Sequence, residues 1–347
     1  MNNIEIIRQL ETEQTADRAS LVQLLDTLTQ DEEELLRQRA QQTAQARFGS
    51  KIYIRGLIEI SSYCKNDCFY CGIRRSNRNA VRYRLSAEQI VSSCDRGYAL
   101  GFRTFVLQGG EDPYYTDERM CAVVREIKRR YPDCAVTLSL GERSAESLQR
   151  LWEAGADRYL LRHETAGKAH YERLHPPEMS YDNRVATLRL LKRIGYQTGA
   201  GFMVGSPYQT AENLADDLLF IKDLRPQMCG IGPFVPHSDT CFRDVPHGSL
   251  RTTLILLSVL RLMNPNILLP ATTALGTIDA RGREKGILHG ANVVMPNLSP
   301  QEHRRDYSLY DNKICTGEEA AECLQCLKMR MRSIGYEITT DRGDYHE

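Results

Sequence analysis

Cys64, Cys68 and Cys71 fall on one short run, Tyr63-Cys-Lys-Asn-Asp-Cys-Phe-Tyr-Cys-Gly72. Thiolate sulfur is the preferred protein ligand of iron–sulfur clusters. Three thiolates on one loop can hold three irons of a cubane and leave the fourth iron open to a substrate or cofactor. A structural zinc site wants four closed ligands instead, and no fourth Cys or His lies nearby in sequence. A second triad, Cys315, Cys323 and Cys326, is spaced Cys-x₇-Cys-x₂-Cys. Its last two members would sit one turn apart on a helix, with Cys315 on the loop before it. Such a group can hold a metal or stand as three inert surface thiols. The remaining five, Cys94, Cys121, Cys134, Cys229 and Cys241, read as small core residues.

The elements that must position the first triad are written as an alternation. Apolar strand-like runs recur at 53–60, 104–107, 135–140, 158–161, 197–204, 228–232, 266–269 and 292–295. Amphipathic helical stretches separate most of them, at 86–100, 116–130, 145–154, 183–194, 211–224 and 249–263. Trp152 falls on the apolar side of one and reads as core. Eight strand–helix units in a row predict an α/β fold, a parallel (β/α)₈ TIM-type barrel, rather than an open sheet. Residues 1–50 form an N-terminal helical extension, 51–300 the barrel, and 301–347 a C-terminal cap bearing the second triad. Barrel chemistry belongs on loops at the C-terminal strand ends, and the cysteine loop follows strand one. Gln108–Asp112, Glu142, His163–Glu164, Gly201–Pro207, Pro233–His237, Ala271–Thr273 and Pro296–Asn297 follow the others.

Lys+Arg and Asp+Glu balance at 45 each, so nothing marks a nucleic-acid footprint. The local run Arg74-Arg75-Ser76-Asn77-Arg78 could meet a small anion or simply face solvent. The polar start lacks a signal-peptide core, and the longest apolar run is too short for a bilayer. A cytoplasmic chain with reduced thiols is expected, and clustered cysteines there point to metal.

The loop Cys-x₃-Cys-x-aromatic-Cys, with Tyr70 as the aromatic, resembles the defining motif of the radical S-adenosylmethionine (SAM) superfamily. That resemblance implies a [4Fe–4S] cluster on Cys64, Cys68 and Cys71, SAM on the open iron, and reductive cleavage to a 5′-deoxyadenosyl radical. Gly109-Gly110-Glu111 is similar to the turn that receives SAM's ammonium, and Gly201-Phe-Met-Val-Gly205 to the motif beside its adenine. Glu164 matches the family's partner of SAM at the ribose, and Arg184 its carboxylate-binding arginine, a task suited to a planar fork. Gln108, Thr137, Ser139, Arg158, Met228, Thr272, Thr273, Tyr307 and Tyr310 fall in the polar lining expected around SAM and substrate.

The wider loop, continuing Gly72-Ile-Arg-Arg-Ser-Asn-Arg-Asn79, resembles a clade of [FeFe]-hydrogenase maturases of the HydE type, methylornithine synthases and, more distantly, biotin synthases. Val106–Tyr115, Val136–Glu142, Gly155–Thr165, Gly230–His237, Pro270–Ala274 and Ala291–Asn297 extend the likeness over roughly 51–335. The second triad matches an accessory iron–sulfur site, [2Fe–2S] or [4Fe–4S], of many HydE-type chains. The resemblance therefore implies a role in assembling the hydrogenase diiron site. The radical would act on a small or organometallic precursor. Transient contacts with HydG-type and HydF-type maturases and an electron donor are implied, with the chain a monomer. Two alternatives stay open: a methylornithine synthase-type mutase, and a non-enzymatic iron–sulfur carrier, which would not need SAM-binding turns.

Overall fold

The computed structural model describes residues 1–314 and 323–347, so Cys315 lies outside the described residues. Its strands are β1 (Lys51–Ile54), β2 (Gly56–Ser61), β3 (Thr104–Gly109), β4 (Ala135–Ser139), β5 (Arg158–Leu160), β6 (Gln197–Ala200), β7 (Met203–Val204), β8 (Met228–Cys229), β9 (Gly232–Pro233), β10 (Val293–Val294) and β11 (Glu337–Thr339). A parallel sheet runs β2-β3-β4-β5-β6-β8. Met228 bridges Leu268, Pro270 bridges Val293, and Leu57 bridges Asn297, while β10 pairs with β1 at Tyr53↔Val293. The ring is thereby closed with eight staves, the seventh made only of bridges because Pro270 offers no backbone donor.

Helices Ala87–Ala99, Asp117–Arg130, Ala145–Glu153, Tyr181–Ile194, Ala211–Leu224 and Leu250–Met263 cover the outside, close to the predicted stretches. Several start on a Ser or Thr whose side chain accepts from the third backbone N–H, as Ser86 and Thr116 do. The N-terminal region forms three helices, Asn3–Glu13, Arg18–Thr27 and Gln30–Phe48. Among the described residues no helix is long and apolar enough to cross a membrane.

Three expectations fail locally. Predicted strands 197–204 and 228–232 each break in two, and their outer halves pair as a separate ribbon, β7 with β9. The cause is a close backbone approach: a Cβ on Gly201 would lie 2.0 Å from the Gly230 carbonyl oxygen. Trp152 is 40% exposed and Cys241 is exposed, so neither is core.

The chain's last segment splits between the two barrel ends. Residues 307–313 lie over the C-terminal mouth, where Gly72 N–H donates to the Leu309 carbonyl. Beyond β11, which pairs with β1, the tail stoppers the floor. There Thr104 Oγ1 and Arg158 donate to the Arg342 carbonyl, and Arg158 pairs with Asp344 at 2.7 Å. Arg158 is wholly buried. Burial alone would raise the Asp344 carboxyl, but Arg342 and Arg158 outweigh it and hold it well below the usual range. Asp344→Asn, which strands a buried guanidinium, should cost about 3 kcal/mol at pH 7 in denaturant unfolding. A depressed folded pKa means this contribution is present above about pH 4 and lost as pH falls below it. The gap between wild type and variant should therefore narrow below that pH.

Candidate active site

Strand alternation builds the site. Leu57 and Glu59 of β2, Val106 and Gln108 of β3, Thr137 and Ser139 of β4, and Leu160 of β5 point inward and line one cavity of about 360 Å³ at the mouth. Ile58, Ile60, Phe105, Leu107, Val136 and Leu138 point outward and are buried under the helices.

Cys64, Cys68 and Cys71 all border this cavity, as unpaired thiols on an irregular loop. The loop is pinned from several sides. Lys65 N–H donates to the Glu111 carbonyl, and Phe69 N–H to that of Leu174. The Arg82 guanidinium donates to the carbonyls of Ser62, Ile73, Arg74 and Asn77. The Tyr70 hydroxyl lies 3.2 Å from His175 Nε2. Burial, then the neighbouring thiols, push Cys68 well above the ordinary thiol value and Cys71 to about 12, and burial raises Cys64. Three cysteines on one loop can each hold a separate iron of a cubane, whereas a structural zinc site wants four ligands.

The other predicted lining residues, Arg158 apart, arrive at the same place. Tyr70, Gln108, Gly109, Gly110, Glu111, Thr137, Ser139, Glu164, Arg184, Met228, Thr272, Thr273, Tyr307 and Tyr310 all border it. Two buried hydroxyls facing the cavity, Thr137 Oγ1 and Thr272 Oγ1, lack hydrogen-bond partners, and Glu164 Oε2 and Arg162 Nη2 meet only each other, at 3.3 Å. Free hydroxyls beside an exchangeable charge pair fit a zwitterionic ligand of SAM's kind. Glu164 takes a left-handed backbone, φ 66, which turns its side chain into the mouth as the chain leaves β5. Arg184 pairs through Nε with Glu142 Oε1 at 2.6 Å, and its Nη1 donates to the Arg162 carbonyl.

Arg158 is a correction. It is inward-facing but one level too deep, at the floor, and does not border the cavity. Arg162, two inward positions further along, does border it, 3.3 Å from Glu164, and sequence reasoning passed it over. Counting alternate residues from Arg158 would have found it. Also missed was Glu59, fully buried, which accepts from Asn297 Nδ2 and pairs with Lys313 of the overlying segment. Cys323 and Cys326 have paired sulfurs, with Cα atoms 5.4 Å apart at the start of helix Leu324–Arg332.

A thiol triad at the mouth of a parallel barrel, facing a cavity walled by apolar and polar side chains together, is the arrangement expected of a radical SAM enzyme. The radical SAM superfamily profile matches residues 58–221. The chain is 42% identical over 343 residues to the [FeFe] hydrogenase maturase subunit HydE of Thermotoga maritima, covering 99% of this chain and 97% of that one. It is 29% identical to 3-methylornithine synthase of Methanosarcina acetivorans, over 90% of this chain and 88% of that. The crystal structure of methylornithine synthase superposes with a TM-score of 0.83 at 25% identity, covering 96% and 97%. That of the maturase HydG gives 0.82 at 20% identity, over 97% and 76%, a likeness of fold. The chain belongs to the HydE family of the radical SAM superfamily.

Proposed function

We propose that this enzyme acts in the assembly of the [FeFe]-hydrogenase diiron site, on a small or organometallic precursor held in the barrel. What carries the reading is the convergence of Cys64, Cys68, Cys71, Gly109–Glu111, Glu164 and Arg184 on one cavity, in a chain 42% identical to a HydE over nearly its whole length. A [4Fe–4S] cluster would be held by Cys64, Cys68 and Cys71 and, when bound, would supply the electron for reductive cleavage of SAM's sulfonium.

The chain's own residues do the rest. Backbone groups of Gly109 and Gly110 receive the SAM ammonium, Glu164 accepts from its ribose, and Arg184 faces its carboxylate. Gln108, Thr137, Ser139, Met228, Thr272, Thr273 and Tyr307 line the space around SAM and precursor, and Tyr70 steadies the loop. The segment 307–313 keeps bulk water from the mouth, as a radical requires. With the Cys323–Cys326 pair reduced, Cys315, Cys323 and Cys326 would hold an accessory iron–sulfur cluster, peripheral to the reaction. The enzyme works as a cytoplasmic monomer beside HydG-type and HydF-type maturases.

The test is anaerobic maturation of apo-hydrogenase with and without this protein. A role in maturation requires hydrogenase activity only when the chain and SAM are both present. Formation of methylornithine from lysine would instead favour the mutase reading. Arg184→Ala removes a charge-assisted bond of about 1.5–3 kcal/mol, so SAM should bind roughly 10- to 150-fold more weakly by calorimetry. Unchanged affinity would leave Arg184 its pairing with Glu142 and its bond to the Arg162 carbonyl. Replacing Cys315, Cys323 and Cys326 together by Ser should lower bound iron while SAM cleavage and maturation largely survive. Loss of maturation with SAM binding intact would place the second cluster in the mechanism.

A further inference from the structure

Asp217 lies on the buried face of helix Ala211–Leu224, among Leu214, Ala215, Leu218 and Ile221, and its side chain is wholly buried. Leucine or alanine would fill this place without the desolvation cost of a carboxyl. What the carboxyl adds is a hold on the turn that leaves β5. Ala166 N–H donates to Asp217 Oδ1, and His163 Nε2 lies 3.3 Å from the same oxygen. His163 is equally buried, and burial pushes its imidazole down to about 3, so the ring is neutral. Its Nδ1 accepts from Gly201 N–H at 3.3 Å, which leaves the ring proton on Nε2, facing Asp217.

Between His163 and Ala166 stands Glu164, in the left-handed backbone conformation at φ 66. A residue with a side chain keeps that conformation only where its surroundings fix it. Glu164 N–H donates to the Gly201 carbonyl at 3.1 Å, and its own carbonyl accepts from Met203 N–H at 3.2 Å. The Tyr181 hydroxyl donates to the Ala166 carbonyl at 2.6 Å. Asp217 completes the clamp by touching both flanks of Glu164, from a helix outside the barrel wall and without bordering the cavity.

We propose that Asp217 is a positioning residue for SAM: from outside the barrel it fixes the turn that aims Glu164 into the mouth. It touches neither SAM nor precursor, and no bond is made or broken at it. The inference rests on the proposed reading of Glu164 as a partner of SAM.

The test is a double-mutant cycle in the reconstituted holoenzyme. Glu164→Ala removes a hydrogen bond made by a charged group and should weaken SAM about tenfold or more by calorimetry. Asp217→Ala should weaken SAM to a similar degree, raising the KM for SAM while kcat at saturation stays within about twofold. In the Glu164→Ala background, Asp217→Ala should add less than about twofold, because its effect passes through that one side chain. Asp217→Asn keeps an acceptor for Ala166 N–H and should bind SAM within about threefold of wild type. Without cluster or SAM, the Ala166 amide should exchange its hydrogen faster in Asp217→Ala than in Asp217→Asn. Ile221→Ala, on the same buried face, is the control for lost stability: it should lower the melting temperature without moving the KM. If Asp217→Ala does not fold, Tyr181→Phe, which frees the Ala166 carbonyl with little packing lost, takes its place in the cycle. The proposal is overturned if kcat falls with the KM for SAM unchanged, or if the loss adds in full to that of Glu164→Ala. It is equally overturned if Asp217→Asn binds SAM as poorly as Asp217→Ala. Unchanged SAM affinity in Glu164→Ala itself would instead remove the underlying reading, and this proposal with it.

Discussion

Cys68→Ala should abolish SAM cleavage and leave a folded protein. Anaerobic reconstitution of the variant should yield no [4Fe–4S] signal that shifts on adding SAM, and 5′-deoxyadenosine should fall to background. The effect is all-or-none because a cubane left with two thiolates exposes a second iron, and SAM then has no single open site to chelate. The fold should survive because Cys68 sits on an irregular loop outside both sheet and helix. Its sulfur meets Met179 Sδ at 3.6 Å and is half-buried, so the lost packing stays near 1 kcal/mol. Alanine is the sharper choice than serine, whose oxygen is a poor but real ligand. Circular dichroism and melting close to wild type, with full SAM cleavage, would remove the cluster from this loop.

The cysteine loop, the Gly-Gly-Glu turn and Glu164 were legible because each interrupts an apolar run at a strand end, where a packed core would have kept Val or Leu. The eight staves were legible for the same reason, by period and punctuation. What escaped depends on distances between segments far apart in the chain. The break after Ala200 follows from the approach of Gly201 to Gly230, 29 positions away, and no local propensity signals it. Arg158 and Arg162 share one inward row, so only the level of the strand in the barrel tells floor from mouth. The tail from Glu337 reads as a cap by order alone, yet its pairing with β1 carries Arg342 and Asp344 to the opposite end. Glu59, buried on β2, meets its counter-charge only in Lys313, 254 positions later.

Gly110→Ala should be nearly as damaging as loss of a ligand, although it adds only a methyl group. A Cβ there would lie 2.2 Å from the Tyr63 carbonyl oxygen, 2.8 Å from Cys64 Cβ and 2.9 Å from the Tyr63 carbonyl carbon. None of these is the end of a flexible side chain, so the cysteine loop itself must move, by about 1 Å for ordinary contact to return. It has little freedom to do so. Gly110 N–H is tied to the Ser61 carbonyl at 3.1 Å and Lys65 N–H to the Glu111 carbonyl at 2.9 Å, so the clash is clamped on both sides. Overpacking of this kind costs about 1–3 kcal/mol of stability. A shift of about 1 Å at a reacting centre costs on the order of 100-fold in rate. Cluster content, SAM affinity and 5′-deoxyadenosine formation should all fall together. The neighbouring glycine provides the control. A Cβ on Gly109 would meet Ile60 Cγ1 at 3.2 Å and Ser61 backbone no nearer than 3.5 Å. Gly109→Ala should therefore keep its cluster and lose less than about tenfold, since a few tenths of an ångström at Ile60 absorb the methyl. Equal activity in the two variants would mean that the close seat of the cysteine loop on Gly110 does not set the geometry of the site.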